Sequence, residues 1–190
     1  IGFGRGILTV VTGVSGSGKS SLVMGELAET LQKIVDKKTK ASIQKSVIVD
    51  QRPISRSPRS TPVSYCKLLD PIRDIFASTI ESKRRGWTKT RYSYNTKEGR
   101  CETCEGRGAT LIEMHFLSDV WIQCESCLGA RYDDPTLEVR WKGKNIADVL
   151  NMSVAQAFEF FAAQKKLRSK LKALIDVGLG YLRLGQPTNQ

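Results

Sequence analysis

Two Cys-x-x-Cys pairs, Cys101/Cys104 and Cys124/Cys127, are separated by nineteen residues and constrain this chain more than any other feature. Each pair can turn two sulfurs toward one point, and the separation is that of tetrahedral Zn2+ sites. Four sulfur ligands leave no position for water, so the expected metal is structural rather than catalytic. Gly106 and Gly129, two residues after the second cysteine of each pair, let the backbone fold around the sulfurs. In a reducing cytosol this pattern suits a metal better than a disulfide framework, and a redox dithiol is the rival reading. Cys66 stands alone and reads as a small buried hydrophobe. Between the pairs, ATLIEMHF and VWIQ read as two strands of a hairpin, so the metal would pin the base of a projecting arm. His115, within that arm, reads as structural rather than catalytic.

A second feature lies near the start. Gly13-Val14-Ser15-Gly16-Ser17-Gly18-Lys19-Ser20 fits G-x-x-x-x-G-K-[ST] at every fixed position. It follows a β-rich apolar run at residues 7–12 and precedes a helical pattern over 19–35, with Leu22, Val23, Leu27, Leu31 and Ile34 on one stripe. Strand, glycine turn and helix together make a P-loop, whose amides and helix N-terminus would hold ATP phosphates at Gly13, Ser15, Gly16, Ser17, Gly18, Lys19, Ser20 and Ser21. Lys19 would reach the β- and γ-phosphates, and Ser20 would offer its hydroxyl to Mg2+. A second apolar run, 46–49, closes on Asp50 and Gln51 and supplies the next strand of a βαβ unit. Gln51 reads as the sensor of the γ-phosphate, against the plainer reading that both residues end a strand.

Thirty basic against nineteen acidic side chains give a net charge of +11, which favours a polyanionic partner. The cations cluster. Arg52, Arg56 and Arg59 lie on a proline-rich irregular loop, and Lys83, Arg84, Arg85, Lys89 and Arg91 lead into the first cysteine pair. Trp87, Tyr92 and Tyr94 interleave with them, which suits phosphate contact beside base stacking, or else the small core of the metal module. No apolar stretch approaches a membrane span and no signal peptide is visible, so the expectation is a cytoplasmic protein with no membrane partner. Further on, Asp70 is expected to cap a helix carrying Ile72, Ile75 and Phe76, residues 136–141 read as a strand, and Ser153 should cap a helix. A last helix should run to about Asp176 before Gly178 and Gly180.

GVSGSGKSSL, VDQRPISRSPRSTP, YNTKEGRCETCEGRG, EMHFLSDVWIQC, TLEVRWKGKNIADVL and IDVGLGYLRLGQP follow one another over almost the whole chain. In that order they resemble the C-terminal half of the UvrA family, the damage-scanning ATPases of bacterial nucleotide excision repair. The resemblance implies an α/β fold: an ABC-type P-loop nucleotide-binding core, incomplete, with an inserted four-cysteine zinc hairpin and a helical portion of the signature domain. It divides the chain into a core part at 1–62, a helical, basic lead at 63–100, a zinc module at 101–132 and a strand with helices at 133–190. It makes residues 13–20 the second Walker A motif and Gln51 the Q-loop glutamine, so that Lys19 and Gln51 would carry the chemistry with ATP, Mg2+ and Zn2+ as cofactors. Its implied partners are damaged double-stranded DNA, a UvrB-like helicase and a second copy. The chain stops at LGQPTNQ, where a signature motif would come next, and no Walker B acid is seen. The expectation is therefore a nucleotide-binding fragment that cannot complete a hydrolytic site alone. Cys101-x-x-Cys104-x-Gly106-x-Gly108 also resembles the repeat of DnaJ-type chaperones, which gives the alternative of a zinc-stabilised protein-interaction module. The second pair departs from that repeat at Ala130-Arg131.

Overall fold

The computed structural model describes residues 6–36, 43, 45–50, 55, 57–114, 116 and 120–188. The chain forms two compact units, Ile1–Arg52 and Pro53–Gln190. Gln51, Arg52, Arg56 and His115, all singled out by the sequence, lie outside the described residues.

In the first unit, a π-helical segment, Ser21–Leu27, continues directly into α1, Ala28–Asp36. The expected stripe forms: Leu22, Val23, Leu27, Leu31 and Ile34 are half-buried around a buried Ala28, and Glu29, Thr30, Gln32 and Lys33 face out. The two expected strands do not form. Residues 7–12 and 46–49 pair with no strand among the described residues, and Leu8 and Val49 are 92% and 85% exposed. A parallel strand has little stability of its own, because it needs ladder neighbours and cover on both faces.

The second unit is mainly helical: α2 (Pro62–Tyr65), α3 (Leu69–Ala77), α4 (Ile80–Arg84), α5 (Asp134–Glu138), α6 (Ile146–Asn151), α7 (Val154–Phe160) and α8 (Lys165–Asp176). Its sheet is the expected hairpin, β1 (Ala109–Ile112) antiparallel to β2 (Val120–Gln123), with Leu111 opposite Trp121. No described helix is long and apolar enough to cross a membrane. One core gathers Val63, Leu68, Ile72, Phe76, Tyr92, Tyr94, Tyr132, Ile146, Val154, Phe161, Leu167 and Leu171, and Cys66 packs against it. The three buried tyrosines each keep a hydroxyl partner: Tyr94 meets Thr61 Oγ1 at 3.0 Å, Tyr132 donates to the Tyr92 carbonyl at 3.0 Å, and Tyr92 meets Ser82.

Local signals explain most of these elements. Ser153 and Gln156 form a capping box for α7, as do Asn145 and Asp148 for α6. Gly178, at φ +81°, follows α8. Two readings need correction. Asp70 does not cap α3; the helix starts at Leu69, and Asp70 sits in its first turn, where a carboxylate suits the helix dipole, paired with Arg73 at 2.7 Å. Residues 136–141 are not a strand. Asp133 accepts the Thr136 amide at 3.0 Å and Pro135 fills the first turn, so the segment enters helically as α5 before Val139 extends. Residues beyond α8 return across the unit: Val63 N–H donates to the Leu184 carbonyl, Leu184 to Met152 and Gly185 to Leu150, at 2.7–2.9 Å.

Candidate metal centre and nucleic-acid interface

The four cysteines converge. Their sulfurs all lie within 4.8 Å of one another, with Cys101 to Cys124 at 4.0 Å and Cys104 to Cys127 at 3.6 Å. Tetrahedral Zn2+ with bonds of about 2.3 Å sets its sulfurs about 3.8 Å apart, so the spacing fits that ion. The cysteines form a small cluster separate from the main core, three of them buried and Cys127 half-buried.

The two cysteine turns share one backbone design. The residue after each second cysteine, Glu105 or Leu128, is left-handed at φ +51° or +47°. The glycine that follows, Gly106 or Gly129, lies at +79° or +82°. A Cβ on Gly106 would also stand 2.0 Å from the Tyr94 carbonyl oxygen. Two residues later come Gly108 and Arg131, at +74° and +72°, whose amides face the sulfurs of Cys104 and Cys127. Burial pushes the thiols of Cys104 and Cys127 up, Cys127 to about 12. At Cys124 burial is outweighed by the amides of Cys127 and Ser126 and the neighbouring thiols, which bring it down to about 7.

Arg131, where the second cysteine pair departs from the DnaJ-type repeat, is a structural hub. Its side chain is 5% exposed and donates to the carbonyls of Pro58 at 3.1 Å, Gly106 at 3.4 Å and Gly185 at 3.1 Å, with its guanidinium over the Tyr94 ring. Its own carbonyl accepts the Cys101 amide at 2.9 Å. One residue thus joins both cysteine turns to two distant segments.

The predicted DNA cations separate into two groups. Lys83, Arg84 and Lys89 are exposed on and just after α4, Lys89 within 3.8 Å of Asp74. Arg85, itself exposed, and the half-buried Arg91 are engaged by carboxylates: Arg85 pairs with Glu81 at 2.6 Å and Glu138 at 2.9 Å, and Arg91 with Asp133 at 2.6 Å. Both guanidiniums lie over the Trp87 ring, 4.9 and 4.3 Å from its centroid, so this indole is held by two cation–π contacts. Tyr92 and Tyr94 are fully buried, and their place in the sequence reading is the core alternative rather than base stacking. Arg59 turns back onto the first cysteine turn, donating to the Glu105 carbonyl at 2.8 Å. The hairpin instead carries exposed apolar groups, with Phe116 99% exposed and Leu111, Ile112 and Val120 partly so.

In the first unit Gly16 and Gly18 take φ +81° and +82°, conformations that favour glycine, and a Cβ on Gly13 would meet Ser17 Oγ at 2.9 Å. The Lys19 ammonium donates to the carbonyls of Gly13 at 2.9 Å and Val14 at 2.7 Å. Ser15, Ser17, Ser20 and Ser21 are exposed along the same turn.

Comparison with known proteins gives one consistent result. No family model matches the chain. UvrABC system protein A of Clostridium perfringens is 53% identical over 199 residues, spanning 99% of this chain and 21% of its own length. That of Oceanobacillus iheyensis is 52% identical over 193 residues, spanning 96% of this chain and 20% of its own. Among solved structures, UvrA2 of Deinococcus radiodurans matches with a TM-score of 0.85 and 46% identity over 93% of this chain and 22% of that one. The chain spans about a fifth of the length of these relatives, and over that stretch it belongs to the UvrA family.

Proposed function

We propose that this chain provides the nucleotide cradle and a zinc-braced DNA-contacting unit of an ABC-type ATPase in UvrABC nucleotide excision repair. The observation that carries this reading is the 53% identity to a UvrABC system protein A over 99% of the chain. In the first unit, the amides of residues 13–18 would hold ATP phosphates, Lys19 would move from its loop carbonyls to the β- and γ-phosphates, and Ser20 and Ser21 would close the cradle, Ser20 on Mg2+. Gln51 would sense the γ-phosphate. Zn2+ would supply no reaction chemistry, only a fixed tetrahedral centre held by Cys101, Cys104, Cys124 and Cys127.

In the second unit the exposed Lys83, Arg84 and Lys89 would neutralise phosphates of the duplex, with Arg52, Arg56 and Arg59 as a second group. Arg85 and Arg91 serve this reading indirectly, by packing over Trp87 and holding the surface from which Lys83 and Arg84 project. A UvrB-like helicase and a second copy are the partners that follow from the family, in the cytoplasm. The test is duplex binding with neutral substitutions at Lys83 and Arg84. Their combined change to Gln should weaken binding and lower its salt dependence by about two phosphate contacts, and an unchanged affinity would remove these residues from the interface.

A further inference from the structure

Glu105 stands on the left-handed step of the first cysteine turn, φ +51°, and three arginines reach its carboxylate, Arg100 and Arg107 from the same segment and Arg59 from the loop before α2. Arg107 lies at 3.0 Å, Arg59 at 3.4 Å and Arg100 at 3.8 Å. Arg59 also donates to the Glu105 carbonyl at 2.8 Å, while its Nε is buried with no partner among the described residues. One half-exposed carboxylate therefore faces three guanidiniums, one of which holds a donor without an acceptor. A buried donor of this kind costs stability until an acceptor reaches it. The geometry also suits a larger anion, since guanidinium forks match tetrahedral oxyanions with several oxygens better than a single carboxylate.

The surroundings point the same way. Arg107 also lines a recess of about 480 Å³ between the hairpin and the turn at 183–187, together with Arg131, Arg183, Trp121 and Gln123, and no carboxylate lines it. The positive field of the three arginines thus continues into an open basin of like charge. The competing use of these arginines is to screen the zinc–thiolate centre, which carries about two net negative charges. That use gives Glu105 no role, because a carboxylate beside such a centre would oppose the screening.

We propose that Arg59, Arg100 and Arg107 form a phosphate-binding site on the first cysteine turn, which Glu105 occupies until a phosphodiester of the duplex displaces its carboxylate. Glu105 then acts as an internal anion that keeps the site ordered and lowers its affinity for unspecific phosphate. The inference rests on the DNA reading above, and it predicts a gain of binding on removing a residue that the fold itself uses.

The experiment measures fluorescence anisotropy of a labelled duplex against the zinc-loaded chain across a series of salt concentrations, with inorganic phosphate titrated in parallel by calorimetry. Glu105→Gln and Glu105→Gly should each tighten duplex binding several-fold at low salt and steepen the slope of log K against log salt by about 0.9, the contribution of one phosphate. Arg107→Gln should do the reverse. The glycine variant guards against misfolding, because glycine adopts this left-handed backbone readily. Zinc content should stay at the parent level in all three. Duplex affinity unchanged or weakened by both Glu105 variants, with zinc retained, would overturn the proposal. Tightening for inorganic phosphate but not for duplex would overturn its assignment to DNA. A parent chain that binds no duplex would refute the DNA reading, and the phosphate titration would still decide whether the three arginines form an anion site.

Discussion

Gly108 and Arg131 occupy the same place in two copies of one turn, four residues after Cys104 and Cys127, and share a left-handed backbone at φ +74° and +72°. Glycine adopts that conformation without steric cost, and arginine does not. The second turn keeps its arginine because the side chain does what no glycine could: it binds the carbonyls of Pro58, Gly106 and Gly185.

Arg131→Met should therefore leave three carbonyls short of a donor and destabilise the second unit by about 3 kcal/mol. Arg131→Gly relieves the backbone but loses the same bonds, so it should also destabilise, by less. Urea unfolding of the zinc-loaded chain checks both. Stability equal to the parent in the methionine variant would show that the three bonds are redundant.

Arg91→Gln should cost stability more than binding. It removes the 2.6 Å pair with Asp133, the bond to Thr136 and one cation–π contact to Trp87, so a loss of about 2 kcal/mol is expected. Lys83→Gln should give the opposite pattern, with unchanged thermal stability and weaker duplex binding. Thermal melts beside anisotropy titrations separate the two, and a Lys83 variant that melts early would contradict its exposed placement.

Much of the second unit was legible because its signals are local. Each cysteine pair specifies its own turn, the capping box at Ser153 sits within four residues, and the hairpin strands lie between the two cysteine pairs that close their base. What failed was non-local or subtly local. The apolar runs at 7–12 and 46–49 looked like buried strands, but burial is a property of neighbours. Asp133 and Pro135 were a helix start overlooked beside a β-rich string. Basic residues could be counted but not sorted: Arg85 and Arg91 differ from Lys83 and Arg84 only through Glu81, Glu138 and Asp133, whose proximity the sequence does not reveal. Glu105 and Arg131 were findable by aligning CEGRG on CLGAR, which places a charged residue where a turn has no other need of one.

Zinc retention should fall as the pH drops. Thiolates are the ligands, so protons compete with the metal. In the metal-free site Cys124, near 7, is mostly ionised at about pH 8 and mostly protonated at about pH 6, while Cys127, near 12, stays a thiol until metal displaces its proton. Zinc released to a colorimetric chelator should therefore be greater at about pH 6 than at about pH 8. Equal release at both would count against thiolate ligation.

Lys19→Ala should abolish binding of a fluorescent ATP analogue and leave zinc content and duplex affinity of the second unit unchanged. Retained nucleotide affinity would contradict the phosphate role given to Lys19.

The most direct measurement is duplex affinity of the chain at several salt concentrations, with zinc bound and after its removal by a chelator. The account predicts salt-sensitive binding when zinc is present, with a log–log slope of several units, and a large loss of affinity when it is removed. Binding that ignores salt, or that survives intact without zinc, would contradict it.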